Sequence, residues 1–384
     1  MRPVFEVADV IRQFGEQFVA RCNPNTFQLK TLHALSICRT AHLGGHEDVC
    51  TCCGTIRYSY NSCRNRHCPK CQGSNQIIWV DDLLKRTLPV KHYHIVFTVP
   101  HEINEVCQLD SKWYYDHLFA AVWDTLRTFG YSHFGVESGA ICVLHTWGQN
   151  LSLHPHIHCI VPAAGLTFTG NTKHIGKEGK YLYPVKQLSP VFRGKLLQRL
   201  EKQPTPKSSV EKYLPTLALA RKKPWVVFCE PSMGKPEHVI KYLGQYTHRV
   251  AISNHRITNI DDAGVTFMHK DYADNARQKP IRLDGVEFLR RFCLHILPRG
   301  FVKIRRYGIY SSRYTALSKG AASNVYSTMV ISIPETKQQR VARLTGYNSL
   351  QCPACKKEAM ISIGIIPRVR SPCGMVLLTK RRVV

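Results

Sequence analysis

The 384-residue chain reads as an α+β protein with a zinc-folded module near its N-terminus. Three observations carry that reading. Segments such as "LHPHIHCIVP" (Leu153–Pro162) and "KPWVVFCE" (Lys223–Glu230) show the alternation or the apolar run of strands. "MRPVFEVADVIRQFGEQF" at the start, and the stretch from about Pro236 to His248, have helical spacing instead. Six cysteines are packed into "CTCCGTIRYSYNSCRNRHCPKCQ" (Cys50–Gln72), too densely for an ordinary core.

Taken from the N-terminus, the first helix lacks the apolar centre of a signal peptide, so secretion is not expected. The sixteen cysteines then belong to a reducing, cytoplasmic compartment and read as metal ligands and buried thiols, not disulfides. Lys+Arg 53 against Asp+Glu 26 gives a net charge of +27. Such an excess calls for a polyanionic partner, most simply nucleic acid. A membrane is disfavoured, because neither a long apolar span nor a basic amphipathic terminal helix is present.

Cys50 and Cys53 form one C-x-x-C and Cys68 and Cys71 another, with fourteen residues between the pairs. That spacing predicts one four-thiolate Zn²⁺ site folding a segment too small for its own core. Cys63, His67, His46 and Cys38 are left over, either for a second zinc site or as plain thiols and imidazoles. Arg57, Arg64, Arg66 and Lys70, interleaved with Tyr58 and Tyr60, suit phosphates and stacked bases. A third C-x-x-C, Cys352 and Cys355, has only Cys373 near it in sequence. It reads as half a site, with no metal expected there.

As a strand, Leu153–Pro162 puts Pro155, Ile157, Cys159 and Val161 on a face that can be buried, and His154, His156 and His158 on the other. With a rise of roughly 3.3 Å per residue, His154 and His158 lie about 13 Å apart, so the three cannot share one ion. Pro155 suits the strand start, which favours His156 and His158 as the chelating pair for a divalent ion, Mg²⁺ or Mn²⁺.

Gly234 and Pro236 open the next helix, which carries Tyr242 and Tyr246 one turn apart. With Val239 as origin and 100° per residue, Leu243, Tyr246 and Val250 share an apolar stripe and Tyr242 lies about 60° to one side. A phenol beside a metal-polarised phosphodiester can attack it, leaving a phosphotyrosine and a free 3′-hydroxyl. Two tyrosines allow two linked transfers. On this reading Tyr242 makes the first cut and Tyr246 serves a later transfer.

The "YNSCRNRHCPKCQ" of Tyr60–Gln72, the "HIH" of His156–His158, the "YLGQYTHRVAISN" of Tyr242–Asn254 and the "LDGVEFLRRFCLHILPRGFVKIRRYG" of Leu283–Gly308 together carry a family resemblance. The sequence resembles the IS91-like, rolling-circle-type transposases of the HUH class over most of its length. The resemblance implies an antiparallel sheet flanked by helices, with the histidines on a central strand facing the tyrosine helix. "HYHIVFTVP" (His92–Pro100) reads as a further strand of that sheet. It also implies that Tyr242 and Tyr246 are both nucleophiles, that single-stranded DNA at the element ends and target DNA are the partners, and that a 5′-phosphotyrosine intermediate forms. The expected division is a zinc-binding, DNA-contacting unit at 1–85, a catalytic unit at 86–310 and a basic C-terminal segment at 311–384. A third polar metal ligand is implied and no residue identifies itself as that ligand.

A rolling-circle replication initiator would use the same cut. A non-catalytic, zinc-dependent DNA-binding protein would leave the histidines idle. A zinc hydrolase would need a water-activating carboxylate near the histidines, and "LHPHIHCIVPAAG" contains none.

Overall fold

The computed structural model describes residues 3–84, 87, 88, 90–176, 182–230, 244, 250–312 and 335–369. Helix α1 (Val7–Cys22) buries Val7, Val10, Ile11, Phe14 and Phe18 along one stripe. Its N-terminus is closed by a reciprocal box between Glu6 and Asp9. Helix α2 (Thr26–Ser36) starts at Asn25, whose side chain accepts from the amides of Phe27 and Gln28. Strands β1 (Gly45–Cys50) and β2 (Ile56–Tyr60) form a hairpin, and helix α3 (Pro69–Leu84) follows the cysteine loop.

The central region runs β3 (His92–Thr98), α4 (Asn104–Leu109), α5 (Ser111–Phe129), β4 (Val136–Glu137), β5 (Gly139–Trp147) and β6 (Leu153–Pro162). It continues through β7 (Ala164–Thr167), β8 (Thr172–His174), α6 (Val185–Lys202), α7 (Leu214–Lys222) and β9 (Val227–Glu230). After residue 250 come β10 (Ile257–Asp261), β11 (Gly264–Asp271), β12 (Arg277–Leu283), α8 (Gly285–Leu294) and β13 (Ile304–Gly308), then α9 (Lys337–Thr345) and β14 (Met360–Ile366).

The main sheet has five antiparallel strands in the order β13-β5-β6-β3-β9. The fold is mixed α+β with antiparallel sheets and flanking helices, as the sequence predicts. One face of the sheet is a continuous core. Ile95, Phe97, Leu144, Ile157, Cys159 and Val161 pack there against α5 and α6 through Leu118, Phe119, Val122, Phe192 and Leu196. The alternation read from Leu153–Pro162 is realised: Ile157, Cys159 and Val161 are fully buried on this side.

The opposite face carries the histidines. At one end α3 covers it, with Trp79, Val80 and Leu83 against Ile141, Ile160 and Tyr310. A second core joins α1, α2, α8 and the three-stranded sheet β10-β11-β12. There α1 and α8 approach so closely that a Cβ on Gly285 would fall 2.2 Å from the Phe14 ring. Only glycine fits at that crossing.

The C-terminal segment returns to the N-terminal hairpin, giving a sheet in the order β14-β1-β2 with Cys50 opposite Met360. Arg340 of α9 also forms ion pairs with Asp81 and Asp82 of α3. No helix among the described residues is long and apolar enough to cross a membrane.

Candidate metal centres and their family

Strands β5 and β6 pair so that His145 stands directly opposite His156 and Val143 opposite His158. Side chains on one face recur every second residue, so the three imidazoles converge on the face of the sheet opposite the main core. One ligand atom from each of His145, His156 and His158 lies within 4.8 Å of the others. The ring centroids of His145 and His158 are 4.5 Å apart and those of His156 and His158 are 4.9 Å apart. His145 and His158 are buried.

Second partners orient these rings. Nδ1 of His156 lies 2.7 Å from the backbone oxygen of His154, so it carries the proton and leaves the Nε2 lone pair as the ligand atom. Nδ1 of His158 lies 2.8 Å from Nε2 of His94, and the two rings stack with 7° between their planes. A proton on His158 Nδ1 donated to His94 likewise leaves Nε2 for an ion. Burial is the main cause that pushes His156 down to about 4, with His154 adding to it. Burial also lowers His154. At neutral pH His156 is therefore the neutral imidazole that a metal requires.

His145 is a candidate for the third ligand that the sequence leaves unassigned. In "GAICVLHTW" it is one polar residue in an apolar strand and carries no spacing signal. Its role comes from register across the Gly148–Ser152 turn, and that register shifts by one residue between His145 and Trp147. His154, the first histidine of the "HPHIH" run, holds His156 through its carbonyl.

The cysteines pair otherwise than their spacing predicts. Cys68 and Cys71 join Cys38 and Cys63, whereas Cys50 and Cys53 join Cys352 and Cys355. The expected single site of Cys50, Cys53, Cys68 and Cys71 is thus two sites, and Cys352 with Cys355 is half of the second. The reason is the β-pairing: β14 docks antiparallel on β1 and delivers the distant C-x-x-C beside the first one. Around the first site Cys38 and Cys71 sulfurs lie 3.5 Å apart and those of Cys63 and Cys71 3.7 Å. Around the second, Cys50 to Cys355 is 3.7 Å and Cys53 to Cys352 is 3.6 Å.

A tetrahedron with Zn–S of about 2.3 Å has edges of about 3.8 Å, so both sets fit Zn²⁺. Amides point at the sulfurs of the first site, with Cys63 N–H donating to Cys38 and Asn65 N–H to Cys63. Hydrogen bonds from Cys63 and Cys68 bring Cys38 down to about 7. Of the remaining candidates, Cys63 is a member of the first set. His67 and His46 belong to neither: His67 is half-buried at the cavity described below, and His46 lies 3.9 Å from Asp48. Tyr242 and Tyr246 lie outside the described residues.

A sequence profile described as "Transposase zinc-binding domain" matches residues 10–99, and one described as "Putative transposase" matches residues 139–317. Over 96% of this chain and 97% of its own length, "Putative transposase y4qJ" of Sinorhizobium fredii is 40% identical. The chain belongs to the IS91-like transposase family. A second relative of the transposase is "Transposase for insertion sequence element IS801" of Pseudomonas savastanoi pv. phaseolicola, 26% identical over 74% of this chain and 71% of that one. No solved structure is a significant match. In the transposase the zinc-binding match spans every ligand of the first cysteine site but only half of the second, and the other match spans all three histidines.

Proposed function

We propose that this transposase nicks single-stranded DNA at the ends of its element by tyrosine attack and transfers the strand in a rolling-circle-like manner. The observation that carries this is the convergence of three imidazole donors within 4.8 Å on one face of a sheet, in a chain of net charge +27. His145, His156 and His158 would hold one divalent ion. An all-imidazole set suits Mn²⁺ better than Mg²⁺, which prefers oxygen ligands. When bound, the ion polarises the scissile phosphate and offsets its developing charge.

Tyr242 is the first nucleophile in this reading and Tyr246 the second. The bond from the tyrosine oxygen to phosphorus forms as the bond from phosphorus to the 3′-oxygen breaks. The phenol loses its proton to solvent and the 3′-oxygen gains one. The resulting 5′-phosphotyrosine retains the phosphodiester energy, so a second end can be joined without a separate energy source. The zinc sites then rigidify the DNA-contacting unit at 1–85, beside a catalytic unit at 86–310 and the basic segment at 311–384, and target DNA takes the transferred strand.

The test is incubation of the protein with labelled single strands from each element end and Mn²⁺, followed by denaturing electrophoresis. A covalent protein–DNA band is expected, absent in the Tyr242→Phe variant and present but unable to transfer in Tyr246→Phe. His145→Ala, like His156→Ala or His158→Ala, should lose the band by a hundredfold or more while DNA binding persists, because phosphate contacts come from Lys and Arg. A band that survives in the double tyrosine variant rules the mechanism out.

A further inference from the structure

Beyond the histidines, past Trp147, lies a cavity of about 340 Å³. Its walls come from the cysteine loop (Arg64, Arg66, His67), from Trp147 at the end of β5, from His295 just after α8, and from Lys303 before β13. We infer that this cavity seats one nucleotide of the DNA single strand, next to the phosphate held at the histidines. The inference rests on the nicking reading above and names what its site recognises beside the cut.

Three features point to such a ligand. First, the cavity begins one ring away from the metal donors. Trp147 stacks on His145 with centroids 4.8 Å apart, and residues two apart on a strand share a face. Second, the lining is cationic. Arg64, Arg66 and Lys303 reach it, and no carboxylate is present among its described lining residues. Arg66 is already held by the carbonyls of Leu297, Pro298 and Phe301, so the exposed Arg64 is the cation of this lining best placed for a phosphate of the strand. Arg64 sits at φ 55, a left-handed conformation uncommon for arginine, on a loop clamped by the ligands Cys63 and Cys68 on either side. Third, the site offers both a stacking face and hydrogen bonds. The Trp147 ring is half-buried, with the Lys303 ammonium 5.1 Å from its centre. His67 Nε2 is buried with no hydrogen-bond partner. A planar base with polar edges satisfies that nitrogen and stacks on the indole.

The cation and the ring thus sit where a nucleotide needs them, and the first zinc site holds the loop that supplies Arg64 and His67. The pocket would read a nucleotide by stacking more than by sequence.

The experiment uses full-length protein carrying His156→Ala, so that binding is measured without cleavage. Single strands from each element end carry 2-aminopurine moved base by base, and in parallel a single abasic site. Strong quenching is expected at one position, and an abasic site there should weaken binding about tenfold. Trp147→Ala should abolish that position dependence, while Trp147→Phe, which keeps an aromatic face, should preserve part of it. Arg64→Ala removes an exposed side chain and should lower the salt slope of binding by about one. Uniform quenching along the strand, or a profile unchanged in Trp147→Ala, overturns the pocket and leaves the nicking reading intact. A protein that binds no single strand at all overturns both.

Discussion

His94 on β3 stands opposite Ile160, two residues from His158 on β6, and it decides how His158 presents itself. Its Nε2 lies 2.8 Å from His158 Nδ1, so it fixes the tautomer and the ring plane of a proposed metal ligand. His94→Ala should weaken Mn²⁺ binding roughly 10- to 100-fold in a direct titration, with His94→Gln recovering part of the loss. Unchanged affinity in His94→Ala would show that the contact does not orient the ligand. His295 makes a different demand. It is buried, with Nδ1 3.1 Å from the Thr146 hydroxyl and Nε2 3.1 Å from the Leu151 oxygen, and burial holds its pKa at about 4 against an ordinary 6.5. Between those values the unfolded chain binds a proton that the folded one does not. Stability is therefore fully present above pH 6.5 and falls as the pH drops towards 4, by on the order of 3 kcal/mol from this residue. Urea midpoints measured across that range should show a flatter pH dependence in His295→Gln than in wild type.

At the scale of elements, two strand pairings set the chemistry. Pairing of β5 with β6 makes the histidine cluster, and pairing of β1 with β14 makes the second cysteine set. Each C-x-x-C was visible in the sequence because a zinc knuckle needs two thiolates on one tight turn. Which knuckle meets which was not visible, since the partners Cys53 and Cys352 lie 299 positions apart. Purified full-length protein should contain two Zn²⁺ per chain. Cys352→Ser with Cys355→Ser should contain one, whereas Cys63→Ser with Cys68→Ser should lose the other and loosen the Arg64–His67 loop. Metal analysis by mass spectrometry decides it: two ions retained in the Cys352/Cys355 variant would exclude that pair as ligands.

Over the whole molecule, α3 is the shared beam. It starts at the first zinc site, covers part of the histidine face with Trp79 and Val80, and anchors α9 through Asp81 and Asp82. The Arg340 guanidinium that makes those ion pairs is 18% exposed and Asp81 13%, so the contact is largely out of water. Arg340→Ala should destabilise the protein by only about 1 kcal/mol, because Asp81 keeps its ion pair with Arg343. Protease sensitivity should rise first in the C-terminal segment, whereas cutting confined to other segments would argue against this docking.

The HIH alternation, the C-x-x-C turns and the basic charge are local patterns with periods of two or three residues, or a plain sum. They could be read directly, and so could the buried face of Leu153–Pro162 and the mixed α+β class. His145 depends on register across one turn, and the division of the cysteines into two sets and the tie between the chain's distant segments depend on pairing of strands far apart along the chain. Register is set by which faces exclude water together and by a one-residue shift near a turn. No local pattern encodes that sum of weak contacts, so it becomes definite only once the sheets have formed.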